Sequence, residues 1–210
     1  MRNFSKIDKS IMKVSKFLET FNIKNSGRPY PASKISNENL TQDEKKLVTN
    51  LMRVNHAGEV AAQGLYIGHA LAAKSVEQRE MMLEMASEEK DHLIWCNERI
   101  KELGGKPSIF DPLWLAGSVG LGILSSITND RNALGFLEET EIQVADHLNS
   151  HLKRLPKNDV KTKIIIEKMK SDEEKHSDTA RQSGAREIPE KVKKIMEQTA
   201  NIMKEVSFRI

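Results

Sequence analysis

From Thr41 onward, apolar residues return every three or four positions, and no stretch alternates apolar with polar as a strand would. Thr41, with Glu44 three residues on, reads as a capping box, so the first long helix is predicted from there to about Ala73. A second is predicted from about Ser75 to Leu103, where Gly104, Gly105 and Pro107 stop it. A third runs from about Asp130 to Leu155. After a turn at Pro156-Lys157-Asn158, a fourth runs from about Asp159 to Ser183 and ends at Gly184. Pro189 opens a terminal amphipathic helix with Val192, Ile195, Met196, Ile202 and Met203 on its apolar side. Four long helices, paired by short turns within each half and joined by a longer crossover, have the connectivity of a ferritin-like bundle. The predicted fold is therefore all-α, a ferritin-like four-helix bundle of two helix-hairpin halves.

Two regions depart from this pattern. Residues 112–129, PLWLAGSVGLGILSSITN, hold 18 positions without a charge. As a helix they would span about 27 Å, short of a hydrocarbon core of about 30 Å. The segment reads as an apolar helix in a membrane face or lining an apolar cavity, as a plain buried helix, or as a span. Within it, 112–127 forms the apolar crossover. The start of the chain places Phe4, Ile7, Ile11, Val14, Leu18 and Phe21 at helical spacing, with Lys6, Lys9, Lys13 and Lys16 between them. This is a basic amphipathic helix, suited to docking on the domain or to a membrane surface, and it lacks the apolar run of a secretory signal. Residues 22–40, rich in Asn, Ser, Gly and Pro, read as a linker. The domain organisation predicted is thus 1–40 as amphipathic helix and linker, and 41–210 as the bundle.

Composition narrows the function. The chain has 210 residues, 33 Lys+Arg and 30 Asp+Glu, for a net charge of +3. That near-neutrality carries no nucleic-acid footprint. Aromatic residues are only 5%, which argues against a β-sandwich. Cys96 is the single cysteine, so an intramolecular disulfide and a cysteine zinc site are excluded, and a reducing compartment is expected.

The candidate chemistry is a repeated Glu-x-x-His, with Glu89 and His92 on the second long helix and Glu173 and His176 on the fourth. Residues three apart share a helix face, so a carboxylate and an imidazole can reach one cation. With 21 Glu among 210 residues and six His, chance alone would give about 0.6 such pairs, and a solvated helix face is the competing reading. Glu59 and Glu141 sharpen the signal. Glu59 and Ala73, Ser75 and Glu89, Glu141 and Leu155, and Asp159 and Glu173 are each 14 residues apart. All four carboxylates therefore lie about 21 Å from their turns, at one level of the bundle. Glu59 also sits in HAGEVAAQGLYIGHALAA, an Ala- and Gly-rich stretch typical of an interior face. Four carboxylates in one core need compensation, which two divalent cations supply. Oxygen-rich ligation with two His and no sulfur suits iron or manganese. Glu138, one turn before Glu141, is a candidate partner of the ligands. His147 and His151, four apart, could also chelate a metal, but His147 falls off the ligand face and reads as structural or as a ligand support. His56 and His69 read as structural, Cys96 as buried, and Met81, Met82 and Met85 as core or membrane-face residues. An iron-storage or peroxide-scavenging protein, and a metal-free helical interaction module, remain open on these residues alone.

LMRVNHAGEVAAQGLYIGHA, EEKDHLIWCNERIKELGGKPSIFDPLW, GFLEETEIQVADHLNSHLKRLP and MKSDEEKHSDTA resemble one family, the demethoxyubiquinone hydroxylases (2-polyprenyl-3-methyl-6-methoxy-1,4-benzoquinone monooxygenases). The resemblance covers nearly the whole chain. It implies a di-iron monooxygenase that hydroxylates the ring of a demethoxy polyprenyl benzoquinol late in ubiquinone biosynthesis. Glu59, Glu89, His92, Glu141, Glu173 and His176 would be the iron ligands, two irons per chain, with Glu89 and Glu173 bridging. Polyprenyl quinol and O2 are the implied partners, with a membrane surface and, beyond these, a homo-oligomer or other quinone-biosynthesis proteins. The implied location is peripheral, on the cytoplasmic face of the cell membrane. Two positions depart from the family pattern. Asn55 stands where many members have Asp, and Leu148 stands where animal members carry Tyr.

Overall fold

The computed structural model describes residues 27–36, 39–127 and 130–210. Its helices are α1 (Gln42–Ala72), α2 (Val76–Glu102), α3 (Asp111–Ser126), α4 (Asp130–Leu152), α5 (Val160–Gln182) and α6 (Glu190–Arg209). Among the described residues there is no strand. The caps explain the boundaries. Thr41 Oγ1 accepts from the Glu44 backbone N–H while the Glu44 carboxylate accepts from the Thr41 N–H, closing the expected capping box. Ser75 and Asp159 cap α2 and α5 in the same way, through Gln78 and Thr162. Gly104 and Gly184, both at positive φ, end those two helices. The basic amphipathic stretch expected at Phe4–Phe21 lies outside the described residues.

α1 is the central rod. From Val54 to Ala70 almost every residue is buried, polar ones included, so apolar positions occur all round it rather than on one stripe. α2 returns against α1, α5 returns against α4, and the two hairpins pack on each other through α1 with α4 and α2 with α5. α3 and α6 lie on the outside of α1. α3 runs alongside α1 in the same direction, from His56 beside Asp111 (3.0 Å) to His69 beside Ser125 (2.9 Å). The approach is close because glycines face each other. A Cβ on Gly68 would stand 2.3 Å from the Val119 carbonyl oxygen, and one on Gly122 would stand 2.3 Å from that of Leu65.

The crossover therefore forms a helix of 16 residues, about 24 Å long. Among the described residues no helix is long and apolar enough to cross a membrane. The outer side of α3 is nevertheless apolar. Leu113, Leu121 and Leu124 point away from α1, as do Ile109 and Ile127 flanking the helix. Residues 27–36 form turns laid on the bundle, with Ala32 fully buried in its core.

The core is layered. At one end Val48, Met52, Trp95, Ile100, Leu148, Ile165 and Met169 pack together. At the other, Leu65, Tyr66, Met82, Met85, Leu134, Leu137 and Ala180 do so. Each of the four long helices thus contributes to both layers. Between its two contributions, each carries a buried acid, and these are Glu59, Glu89, Glu141 and Glu173.

Candidate metal centre

The structure brings together all six residues that the spacing selected. Ligand atoms of Glu59, Glu89, His92 and Glu173 lie within 4.8 Å of one another, and so do those of Glu89, Glu141, Glu173 and His176. All six side chains are buried. Glu89 and Glu173 belong to both groups, so they occupy the middle, with Glu59 and His92 on one side and Glu141 and His176 on the other.

The distances are those of a coordination shell. His92 Nδ1 lies 3.0 Å from Glu173 Oε1, 3.3 Å from Glu89 Oε2 and 3.5 Å from Glu59 Oε2. His176 Nδ1 lies 3.1 Å from Glu89 Oε1 and 3.2 Å from Glu173 Oε2. A single imidazole N–H cannot serve three acceptors. Ligand atoms around an octahedral cation at about 2.1 Å do stand about 3 Å apart. Each of the four glutamates also leaves one buried oxygen without a hydrogen bond: Glu59 Oε2, Glu89 Oε1, Glu141 Oε2 and Glu173 Oε1. Three of these stand beside an imidazole Nδ1, Glu59 Oε2 and Glu173 Oε1 beside His92 and Glu89 Oε1 beside His176. Four orphaned oxygens in one dry layer are costly as they stand. The donor set, four carboxylates and two imidazoles without sulfur, fits a pair of hard or borderline divalent cations.

Charge in the metal-free cluster resolves itself in a consistent way. Burial pushes the Glu59 and Glu141 carboxyls well above the usual range, and the neighbouring Glu89 and Glu173 charges push them further. Glu89 and Glu173 feel the same burial, but the imidazoles of His92 and His176 outweigh it and hold both below the usual range. Burial lowers the imidazoles, yet the carboxylates win. His92 is held well above its ordinary value and His176 is pushed up to about 12. The shifts thus favour protons on the two imidazoles and on Glu59 and Glu141, and ionised Glu89 and Glu173.

Supports of the ligands, which sequence reasoning did not single out, repeat between the halves. Each imidazole turns Nε2 to the acid immediately before the glutamate of the opposite helix: His92 to Asp172 (3.2 Å) and His176 to Glu88 (2.7 Å). The signal was present as an acid preceding each Glu-x-x-His, in EEKDH and DEEKH. Arg28 reaches in from the turns ahead of α1 and pairs with Asp91 (2.8 Å) and Asp172 (2.7 Å). Tyr66, two turns after Glu59, donates its hydroxyl to Glu141 Oε1 at 2.5 Å.

Other candidates fall elsewhere. Glu138 does not support the ligands, because Arg181 Nε holds its carboxylate at 2.7 Å on the outer side of the α4–α5 hairpin. His147 Nε2 pairs with Asn55 Oδ1 (3.2 Å), and its ring meets that of His151 edge-on at 4.0 Å. Cys96 is buried against Met169 Sδ, and Leu148 is a core residue. Met82 and Met85 are core residues, with Met81 packed against them.

A helical bundle carrying this buried layer is a ferritin-like protein with a site fit for two metal ions. The chain belongs to the COQ7 family, since the family model described as "Ubiquinone biosynthesis protein COQ7" matches residues 46–207. It is similar to the 3-demethoxyubiquinol 3-hydroxylase of Chromobacterium violaceum, 44% identical over 205 residues that cover 97% of this chain and 100% of that protein. The protein of the same name from Legionella pneumophila strain Paris is 44% identical over 213 residues, covering both chains fully. That from Xanthomonas euvesicatoria is 41% identical over 210 residues, covering 100% of this chain and 97% of the relative.

Proposed function

We propose that the six-residue layer holds two irons and that this site performs the reaction for which the relatives are named. The chain is a hydroxylating monooxygenase of ubiquinone biosynthesis that acts on demethoxyubiquinol with O2. The observation that carries the reading is the convergence of both Glu-x-x-His pairs with Glu59 and Glu141 in one buried layer, in a chain that matches such hydroxylases over their full length. One oxygen atom enters a ring C–H bond, and the other leaves as water with two protons and two electrons from an external two-electron donor.

Glu59 and His92 would hold one iron, Glu141 and His176 the other, and Glu89 and Glu173 would bridge them. Bound there, the iron pair supplies dioxygen activation. The protein's share is positional. With the irons bound, the two imidazoles would give up their Nδ1 protons, keep Nε2–H donating to Asp172 and Glu88, and present their Nδ1 lone pairs to the layer. Tyr66 keeps its proton on Glu141 Oε1, so Oε2 is the oxygen left to face the cluster. The two apolar layers above and below keep bulk water from the site.

The substrate tail is apolar, and α3 offers a way to meet it. It lies on α1 at the level of Glu59 and turns Leu113, Leu121 and Leu124 outward. We propose that this face, with flanking Ile109 and Ile127, rests on a membrane surface and that the quinol ring reaches the site from there. On this reading the protein is peripheral to the cell membrane, on its cytoplasmic side. Leu113→Glu with Leu124→Glu should abolish co-flotation with phospholipid vesicles and leave two irons per chain. Flotation equal to wild type would refute the docking face. The activity is tested by complementation. Cells lacking the gene should accumulate the demethoxy quinone, and wild-type chain should clear it.

A further inference from the structure

The two halves of the cluster are not supported equally. His92 Nε2 meets Asp172 Oδ2 at 3.2 Å. The side chain of Asp172 is only 5% exposed and is itself held by Arg28 (2.7 Å), Lys168 (2.5 Å) and Lys175 (3.5 Å). The Arg28 guanidinium lies 4.9 Å from the centre of the Trp95 ring, and Trp95 packs 5.3 Å from the His92 ring. His92 is therefore fixed at its Nε2 edge and across its face. His176 leans instead on Glu88, whose side chain is 43% exposed and free to exchange its bond for water.

We infer that the two subsites bind their cations unequally. The subsite of His92 and Glu59 is tight and slow to exchange, and that of His176 and Glu141 is loose. Asp172 and Arg28 are positioning residues that set the difference. A preorganised support loses nothing when the ligand binds, whereas a solvated one must be ordered first. Outer partners of this kind are worth about 10- to 100-fold in metal affinity. The inference rests on the di-iron reading above.

The test uses the full-length chain loaded anaerobically with two ferrous ions, then mixed with excess ferrous chelator while colour is followed. Two phases of one iron each are expected, separated by at least about 10-fold in rate. Asp172→Asn should accelerate the slow phase by about 10- to 100-fold and leave the fast phase in place. Glu88→Gln should move the fast phase alone. Arg28→Gln keeps the Asp172 carboxylate and should accelerate the slow phase by a smaller factor, which serves if Asp172→Asn fails to fold. A general loss of structure would move both phases together. Release of both irons in one phase overturns the inequality, as does Glu88→Gln acting on the slow phase. Failure of the wild-type chain to take up any iron overturns the di-iron reading itself and the inequality with it.

Discussion

The central cluster and the C-terminal end of α4 each take a pair of imidazoles out of water, and the two pairs end in opposite states. His92 and His176, with ring centres 6.5 Å apart, are held protonated by the carboxylates around them. His147 and His151, with ring centres 4.0 Å apart, are neutral. Burial pulls them down to about 3 and about 2, and the cations Lys204 and Arg154 add to it. Burial acts in the same direction on all four. What differs is the sign of the neighbours: acids from four helices in one case, a lysine, an arginine and the neutral amide of Asn55 in the other. The lesson is that drying a histidine does not make it a ligand, whereas surrounding it with acids that themselves lack partners does.

The largest effect should come from removing an acid shared by both groups. Glu89→Ala takes a carboxylate from both subsites at once and leaves two imidazoles facing fewer charges. Iron content should fall from two per chain to below about 0.5, with at least a 100-fold loss of hydroxylation, read by metal analysis and by failure to clear the demethoxy quinone. Full rescue by this variant would refute the site.

The charge state of the cluster gives the second prediction. In the metal-free layer His92, His176, Glu59 and Glu141 are all held above their ordinary values, so each keeps its proton to higher pH than the free side chain does. Two divalent cations would displace those protons, so loading near neutral pH should release up to about four. Titration calorimetry with Mn(II) in buffers of different ionisation enthalpy counts them. Release of fewer than two would contradict the assignment.

The third prediction converts one region toward the other. Asn55 is buried, and its Oδ1 stands 3.2 Å from His147 Nε2. Asn55→Asp places a carboxylate there and should raise the His147 pKa from about 3 by about 1–3 pH units, seen in the pH titration of its ring resonances. An unchanged titration would show that burial, with Lys204 and Arg154, rather than the missing acid, sets its state.

Much of this was legible in the sequence, for reasons that can be named. Helix boundaries followed from local chemistry, since Thr41, Ser75 and Asp159 cap and Gly104 and Gly184 terminate. The six cluster residues followed from spacing, because an antiparallel hairpin converts equal distances from a turn into equal height. The supports did not follow. Whether Glu88 and Asp172 face inward depends on which acid of a charged run the opposite helix meets. Arg28 sits in a stretch whose Gly and Pro content reads as linker, and only its packing on Trp95 and Asp91 shows otherwise. Glu138 had the right spacing, but Arg181, 43 positions further along, claims it.

The smallest effect concerns His69, a third kind of buried imidazole, with neither acids nor cations beside it. Burial alone lowers it to about 4. The Ser125 hydroxyl donates to the Gly122 carbonyl, so it accepts from His69 Nε2–H, and Nδ1 is left buried without a partner. A proton on Nδ1 would create an unsatisfied charge between α1 and α3. The unfolded chain meets no such penalty and binds its proton near pH 6.5. The stabilisation is therefore fully present above pH 6.5 and is lost as pH falls toward 4. Between pH 7 and pH 5 it should amount to about 2 kcal/mol. His92 and His176 titrate in the opposite sense, since their folded values are raised, so the total slope mixes both. The difference between metal-free wild type and His69→Asn in urea melts at the two pH values removes that mixture. A variant whose stability falls with pH as steeply as wild type would place the acid sensitivity elsewhere in the bundle.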